Sequence, residues 1–152
     1  MKFVTYVLSV FCFCLTLTAC GAKKEAQASS KQLSATLLNG EWNVIKMGNE
    51  SITPGENTPY IGFSWEEKRM FGFTGCNRMF GQFNPEDVTK GNIDFGAVGC
   101  TRMACAEDSY EQPFLTALNE VKTIKYNSKG EIELGDSTGK TVIVLKKRTE
   151  EL

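Results

Sequence analysis

The chain contains no histidine. That removes Ser–His and Cys–His nucleophile pairs, and with them the commonest neutral metal ligand. It has no surplus of either charge: 17 Lys+Arg stand against 18 Asp+Glu, a formal net charge of −1. A near-neutral balance lacks the basic footprint that nucleic acid binding requires. No internal repeat is evident. Cys100 and Cys105 have neither a second cysteine pair nor a histidine to complete a zinc site, so the reading is structural cysteine and no metal. The segment Gly135-Asp136-Ser137-Thr138-Gly139-Lys140-Thr141 ends like a phosphate-binding loop, but Leu134 stands where that loop needs its first glycine. Val142 to Leu145 then reads as a strand, where phosphate binding needs a helix. A hairpin turn, with no nucleotide and no cofactor, is the expectation.

The N-terminal end carries an address. Met1-Lys2 is a short basic start, Phe3 to Leu17 is almost wholly apolar, and small residues precede Cys20. This is the anatomy of a cleaved signal peptide, and Leu17-Thr18-Ala19-Cys20 reads as a lipobox in which Cys20 is acylated. The other reading is an uncleaved helix at the lower limit of bilayer-spanning length. Residues 1–19 are therefore expected to leave, and Cys20 to hold the chain on a bacterial envelope membrane. Several acyl chains make such attachment stable. Gly21 stands where an aspartate would be the usual sign of inner-membrane retention, so the outer membrane is expected, facing periplasm or cell surface. Residues 20–36 are small and polar, with a lone leucine, and read as a tether. As a flexible coil it spans roughly 20–24 Å.

The folded domain is expected over 37–147, with 148–152 a solvated tail. Trp42 and Val44 share one face of a first strand, Ile45 and Met47 the other. Ile61, Phe63 and Trp65 alternate, and after the charged turn Glu66-Glu67-Lys68 so do Phe71 and Phe73. The hairpin so formed runs into Gly75-Cys76. Phe80 and Phe83 read as a short strand, as do Ile93 and Phe95. Tyr110, Phe114, Leu118 and Val121 fall at helical steps. Ser109 with Gln112 reads as a capping box, and Pro113 lies in the first turn, where its missing N–H matters least. Strands about Ile124–Tyr126, Ile132–Leu134 and Val142–Leu145 follow. Seven or so short strands and one helix predict a mostly β (α+β) fold, a small antiparallel barrel-like domain with the helix plugging or flanking it.

The chemistry gathers at Gly75-Cys76-Asn77-Arg78-Met79-Phe80-Gly81 and at Cys100-Thr101-Arg102-Met103-Ala104-Cys105. Each half sets an arginine close to a cysteine. Three cysteines remain after Cys20, so one thiol is left over in an oxidising compartment. Closing the Cys76–Cys105 loop is worth about 3–4 kcal/mol in the chain-entropy model, and Cys76–Cys100 nearly as much, so entropy does not choose between them; Cys100–Cys105 would tie only the short Thr101-to-Ala104 loop and constrain little of the unfolded chain. Arg78 and Arg102 read either as structural, meeting carbonyls or carboxylates such as Asp94 or Glu107, or as an anion or partner site. Glu107, Asp108 and Glu111 read as complements to a helix dipole. Phe71, Phe73, Phe80, Phe83 and Phe95 read as core, or as the lining of a ligand cavity if the barrel is open.

Gly-Cys-Asn-Arg-x-x-Gly at 75–81, Thr-Arg-Met-x-Cys at 101–105 and the lead Leu38-x-Gly40-x-Trp42 together resemble the META domain of HslJ-like envelope lipoproteins. The resemblance covers about Leu37 to Lys147. It implies a small β-barrel-like architecture with one helix. It also implies a Cys76–Cys105 disulfide, since the family motif places cysteines there, with Cys100 left free. Through the heat-shock naming of that family it implies a stress-related envelope role. The expectation is a non-enzymatic, lipid-anchored protein. Asn77, Arg78, Thr101 and Arg102 are its possible partner or anion site, for an envelope protein or small ligand. Two alternatives stand beside it: a barrel binding a small apolar ligand, and a thiol redox protein using Cys100 near the disulfide.

Overall fold

The computed structural model describes residues 32–107 and 109–149. The signal segment 1–19, Cys20, tether residues 20–31, Asp108 and residues 150–152 of the tail lie outside the described residues. None of the described helices is long and apolar enough to cross a membrane.

Among the described residues nine strands form one antiparallel sheet: β1 (Gly40–Met47), β2 (Glu50–Ser51), β3 (Tyr60–Ser64), β4 (Arg69–Phe73), β5 (Arg78–Gln82), β6 (Gly99–Cys100), β7 (Thr123–Tyr126), β8 (Glu131–Gly135) and β9 (Thr141–Lys147). Their order is β6-β5-β4-β3-β1-β9-β8-β7, with β2 paired to β1. β1 is thus the seam between two meanders, β3–β6 and β7–β9. Three helices among the described residues accompany them: α1 (Ala35–Leu38), α2 (Pro85–Thr89) and α3 (Glu111–Glu120).

The mostly β class is as expected, but the sheet is not a closed barrel. Its two ends are bridged by the segment 91–95, where Ile93 N–H donates to Lys122 C=O and Gln82 N–H to Phe95 C=O. Ile93 and Phe95 are buried there, yet they make only an isolated bridge, Asn92 with Thr123, and no strand. The predicted break at Asn84-Pro85 starts α2 instead. Asn84 caps it by accepting from Glu86 N–H, and Pro85 sits at the first turn.

The folded region begins before Leu37. Leu33 is 4% exposed and joins the core, beside Val88 and Ile124 in a surface depression. A lone leucine cannot make a core, but it can complete one that other segments supply. At the other end Arg148 is no solvated tail: its N–H donates to Glu41 C=O and its guanidinium to Glu41 Oε2.

A register shift between Val44 and Lys46 changes β1 as well. The bulge sends Ile45 and Lys46 outward in succession and returns Met47 to the core beside Trp42 and Val44. The inner face holds Ile61, Phe63, Met70, Met79, Ile132, Leu134, Ile143 and Leu145. α3 packs against β9 and closes the core with Phe114 and Leu118, as its spacing predicts. Its N-cap is Tyr110 with no side-chain bond, so the Ser109–Gln112 capping box does not form. Glu111, the first helical residue, is turned to another use.

Candidate functional site

The β4–β5 hairpin turns through Gly75 and Cys76. Thr74 N–H donates to Asn77 C=O at 2.8 Å, and Gly75 takes φ +98, a left-handed value that glycine adopts without strain. A Cβ on Gly75 would stand 3.0 Å from Tyr110 Cβ, so the start of α3 rests directly on this turn. Cys76 and Cys105 are joined, with Cα atoms 5.7 Å apart, and Cys100 is free. This is the pairing that the family resemblance implied. The bond ties the hairpin to the segment leading into α3.

Asn77 lies at the centre and is 1% exposed. Its Nδ2 donates to Glu111 Oε1 at 3.1 Å and to Met103 C=O at 3.3 Å. Its Oδ1 accepts from Thr101 Oγ1 at 2.7 Å and from Met103 N–H at 2.8 Å. Both hydrogens and both lone pairs of the carboxamide are used. The same Nδ2 lies 3.2 Å from Cys105 Sγ, over the disulfide. Glu111 Oε2 accepts hydrogen bonds from the Thr74 hydroxyl at 2.5 Å and from the Asn77 backbone N–H at 3.1 Å. The Thr74 hydroxyl holds Glu111 below the ordinary carboxylate range against burial, which acts the other way; Asn77 adds to the lowering. Among the described residues no buried side-chain nitrogen or oxygen lacks a partner.

The four residues expected to form one site divide into two roles. Asn77 is wholly internal. Thr101 is exposed, but its hydroxyl is spent on Asn77 and on Arg78 N–H. Arg78 and Arg102 are exposed, and among the described residues neither forms an ion pair. Their suggested carboxylate Asp94 is bound by Lys122 instead, at 2.9 Å. Met103 stands out beside them, 62% exposed. Thr74 and Glu111 belong to the cluster, and sequence reasoning missed both. Glu111 looked like one more helix-start carboxylate. The only available signal was Thr74 directly before Gly75-Cys76, a short polar residue beside a tight turn.

Cys76, Cys105 and Glu111 come together closely enough to invite a metal reading. The sulfurs are joined to each other and are not thiolates, so they make no such site. Cys100 is half-buried, and burial first, then Glu111, pushes its thiol up. That is the opposite of an activated thiolate. Gly135 to Thr141 forms the turn between β8 and β9. There the N–H groups of Thr138 and Lys140 point inward to Asp136 Oδ1 rather than out to a phosphate.

The five phenylalanines also divide. Phe83 and Phe95 pack against Phe63, with ring centroids 5.7 and 6.2 Å away, and fill the inside. Phe71 and Phe73 are half-buried on the outer face, and Phe80 is 57% exposed. The outward position follows from alternation: Met70 and Gly72, and likewise Met79, take the inner face.

A family model described as META domain matches residues 35–149. No curated protein matches the chain. A solved structure described as the NMR structure of the protein from Burkholderia xenovorans is similar, with a TM-score of 0.58 and 21% identity over 80% of this chain and 90% of that one. At that identity the likeness concerns the fold alone.

Proposed function

Since this chain belongs to the META domain family, we propose that it is a lipid-anchored protein of the bacterial envelope that works by binding, in envelope maintenance under stress, and not by catalysis. One observation carries the binding reading. Every polar group of the buried cluster is satisfied within the cluster, while Arg78, Arg102 and Met103 are left exposed around it. A general base or nucleophile needs a free lone pair at the reacting atom. Here Glu111 accepts three hydrogen bonds and is held below the ordinary carboxylate range, which makes it a poor base, and Asn77 has no free valence. The cluster acts as a clamp that presents its rim. The disulfide supports an oxidising compartment, and Leu17-Thr18-Ala19-Cys20 supports the anchor.

The test uses the full-length chain in cells, with a photocrosslinker at Met103 and a second at exposed Lys129, far along the sheet. Mass spectrometry of the N-terminus accompanies it. Acylated Cys20 as the first residue and a discrete adduct from Met103 alone are expected. Unmodified Cys20 with residues 1–19 attached overturns the anchor. Equal labelling from both positions overturns the binding rim.

A further inference from the structure

The strand registers set the outward side chains of the sheet in rows. In one row Arg148 stands beside Glu41, which pairs with Gly62; Gly62 pairs with Phe71, Phe71 with Phe80, and Phe80 with Gly99. In the next, Asn43 pairs with Tyr60, Tyr60 with Phe73, and Phe73 with Arg78. Four aromatic rings therefore stand together on the outer face, with a guanidinium at either end.

Two of these rings reach over glycines of neighbouring strands. A Cβ on Gly62 would stand 2.3 Å from Phe71 ring atoms, and one on Gly99 2.5 Å from the Phe80 ring. Each ring covers a glycine of the neighbouring strand, where any side chain would collide with it. Phe71 reaches toward β3 and Phe80 toward β6, so the rings stand farther apart than their attachment points, which are about 5 Å apart on paired strands. The gap suits an extended ligand of more than one sugar unit.

Arg148 is positioned but not used up. Glu41 Oε2 holds it at 2.9 Å and its guanidinium sits 4.7 Å from the Tyr60 ring centre. Of the five N–H donors of an arginine, this contact takes one. Arg148, Tyr60 and Phe71 line an open groove of about 1380 Å³, walled by Pro54 and Gly55. Lys147 also borders it, but its ammonium is taken up by Asn39 C=O and the Trp42 ring. Near the rows Glu41 and Arg148 compensate one another, as do Glu67 and Arg69, while Glu131 is held by the neutral Asn127. Among the described residues Arg78, Lys146 and Lys147 form no ion pair, against Glu131 and the exposed Glu56 beside Gly55, which leaves a small positive balance on this face.

We propose that this face binds an acidic polysaccharide chain lying across the strands, its sugar rings stacked on Phe71 and Phe80 and its anionic groups held by Arg148 and Arg78. Aromatic rings on an outer face suit the apolar faces of sugars, and arginine suits carboxylate. An acidic peptide fits less well. β1, β3 and β4 are paired on both sides, so the floor offers no free backbone edge for strand addition. A bilayer surface is flat and does not enter a groove with a wall. The proposal rests on the reading that the domain works by binding; it shares Arg78 with the rim of the disulfide cluster, while Phe71, Phe80 and Arg148 lie away from that cluster on the outer face of the sheet.

The test is calorimetric titration of the full-length chain in detergent with oligogalacturonate. A neutral cello-oligosaccharide of equal length, poly-glutamate and anionic phospholipid vesicles serve as comparisons. Oligogalacturonate is expected to bind, more weakly as salt rises, and at least about tenfold more tightly than any comparison. Arg148→Gln and Phe80→Ala should each weaken it about tenfold, while Glu107→Gln leaves it unchanged. Thermal melts confirm that each variant is folded. Because Phe80 is largely exposed, Phe80→Ala keeps the test open if Arg148→Gln fails to fold. No binding by the folded chain overturns the proposal, as does tighter binding of poly-glutamate or vesicles. Failure here with the Met103 adduct intact overturns the polysaccharide alone; loss of both overturns the binding reading too.

Discussion

Asn77 and Asn127 make nearly the same bonds in the two meanders that flank β1. Asn127 Nδ2 donates to Glu131 Oε2 and Glu133 Oε1, and its Oδ1 accepts from the N–H groups of Lys129 and Glu131. Asn77 likewise uses two donors and two acceptors, on a carboxylate and on backbone. The difference is where the partners come from. Those of Asn127 lie within six residues, and the cluster closes its own hairpin. Those of Asn77 lie 24 to 34 residues away, on the segment before α3 and on α3 itself. Asn77 is buried, whereas Asn127 is half-exposed and water can replace what it loses. Identical valence thus serves a local turn in one meander and tertiary closure in the other. The second kind is the costlier to break, because its loss frees three segments at once and unpairs part-buried groups.

The largest effect should come from the covalent part of the signature cluster. Cys76→Ala or Cys105→Ala should lower unfolding free energy by about 3–4 kcal/mol, read by urea denaturation. The β7–β9 meander has no such bond to lose. A loss below about 1 kcal/mol would mean that the polar cluster holds the loop closed unaided.

Next, Asn77→Ala should cost about 3 kcal/mol, since it strands the Met103 N–H and one Glu111 oxygen, and Asn127→Ala about 1 kcal/mol. A double-mutant cycle sharpens the contrast. Coupling between Asn77 and Glu111 should exceed about 1 kcal/mol, and that between Asn127 and Glu133 should stay near 0.5 kcal/mol or less. Equal couplings would erase the distinction drawn here.

Acid provides a third test. Glu111 is held below its ordinary 4.5 by Thr74 and then Asn77, which together outweigh burial. For Glu133 burial is the largest influence and raises it, but bonds from Asn127, Lys125 and Thr141 hold it below 4.5 as well. A depressed carboxylate stabilises the fold above its unfolded value and loses that contribution as pH falls through the folded one. The melting temperature should therefore drop as pH falls below about 4.5. Glu111→Gln should flatten that drop more than Glu133→Gln does. The opposite order, measured by thermal melts from pH 6 to 3, would place the pH-sensitive contact in the other meander.

The smallest effect should be at Cys100. Its side chain packs only at the edge of the core, so Cys100→Ala should change stability by less than about 1 kcal/mol. Burial and Glu111 push the thiol above its ordinary 9.0, so alkylation by iodoacetamide at pH 7 should be slower than for a free cysteine peptide. Faster alkylation would revive the redox alternative.

Legibility followed sequence distance. The hairpins, the α3 stripe and the Gly135–Thr141 turn could be read because their patterns are local: alternation, helical spacing, and turn residues between them. Phe80 was misread because alternation fixes which residues share a face, not which face is inside. Met70, Gly72 and Met79 took the inner side, so the bulkier phenylalanines went out. Met47 was misread because one bulge reverses parity, and no residue type announces a bulge in β1. Leu33 was misread because a single apolar residue in a polar stretch has no periodicity to betray it.

What the sequence by itself determined is the mostly β class, the segment that becomes α3, the two signature segments and, through the family motif, the Cys76–Cys105 pairing. Only the tertiary structure decided that Thr74 and Glu111 complete the Asn77 cluster, that Arg78 and Arg102 stay outside it, and that four aromatic rings share an outer face between two arginines. The reason is physical. A turn or stripe is fixed by neighbours a few residues away. A hydrogen bond between Asn77 and Glu111 exists only once β5, the disulfide segment and α3 have been packed together, and no local preference encodes that meeting.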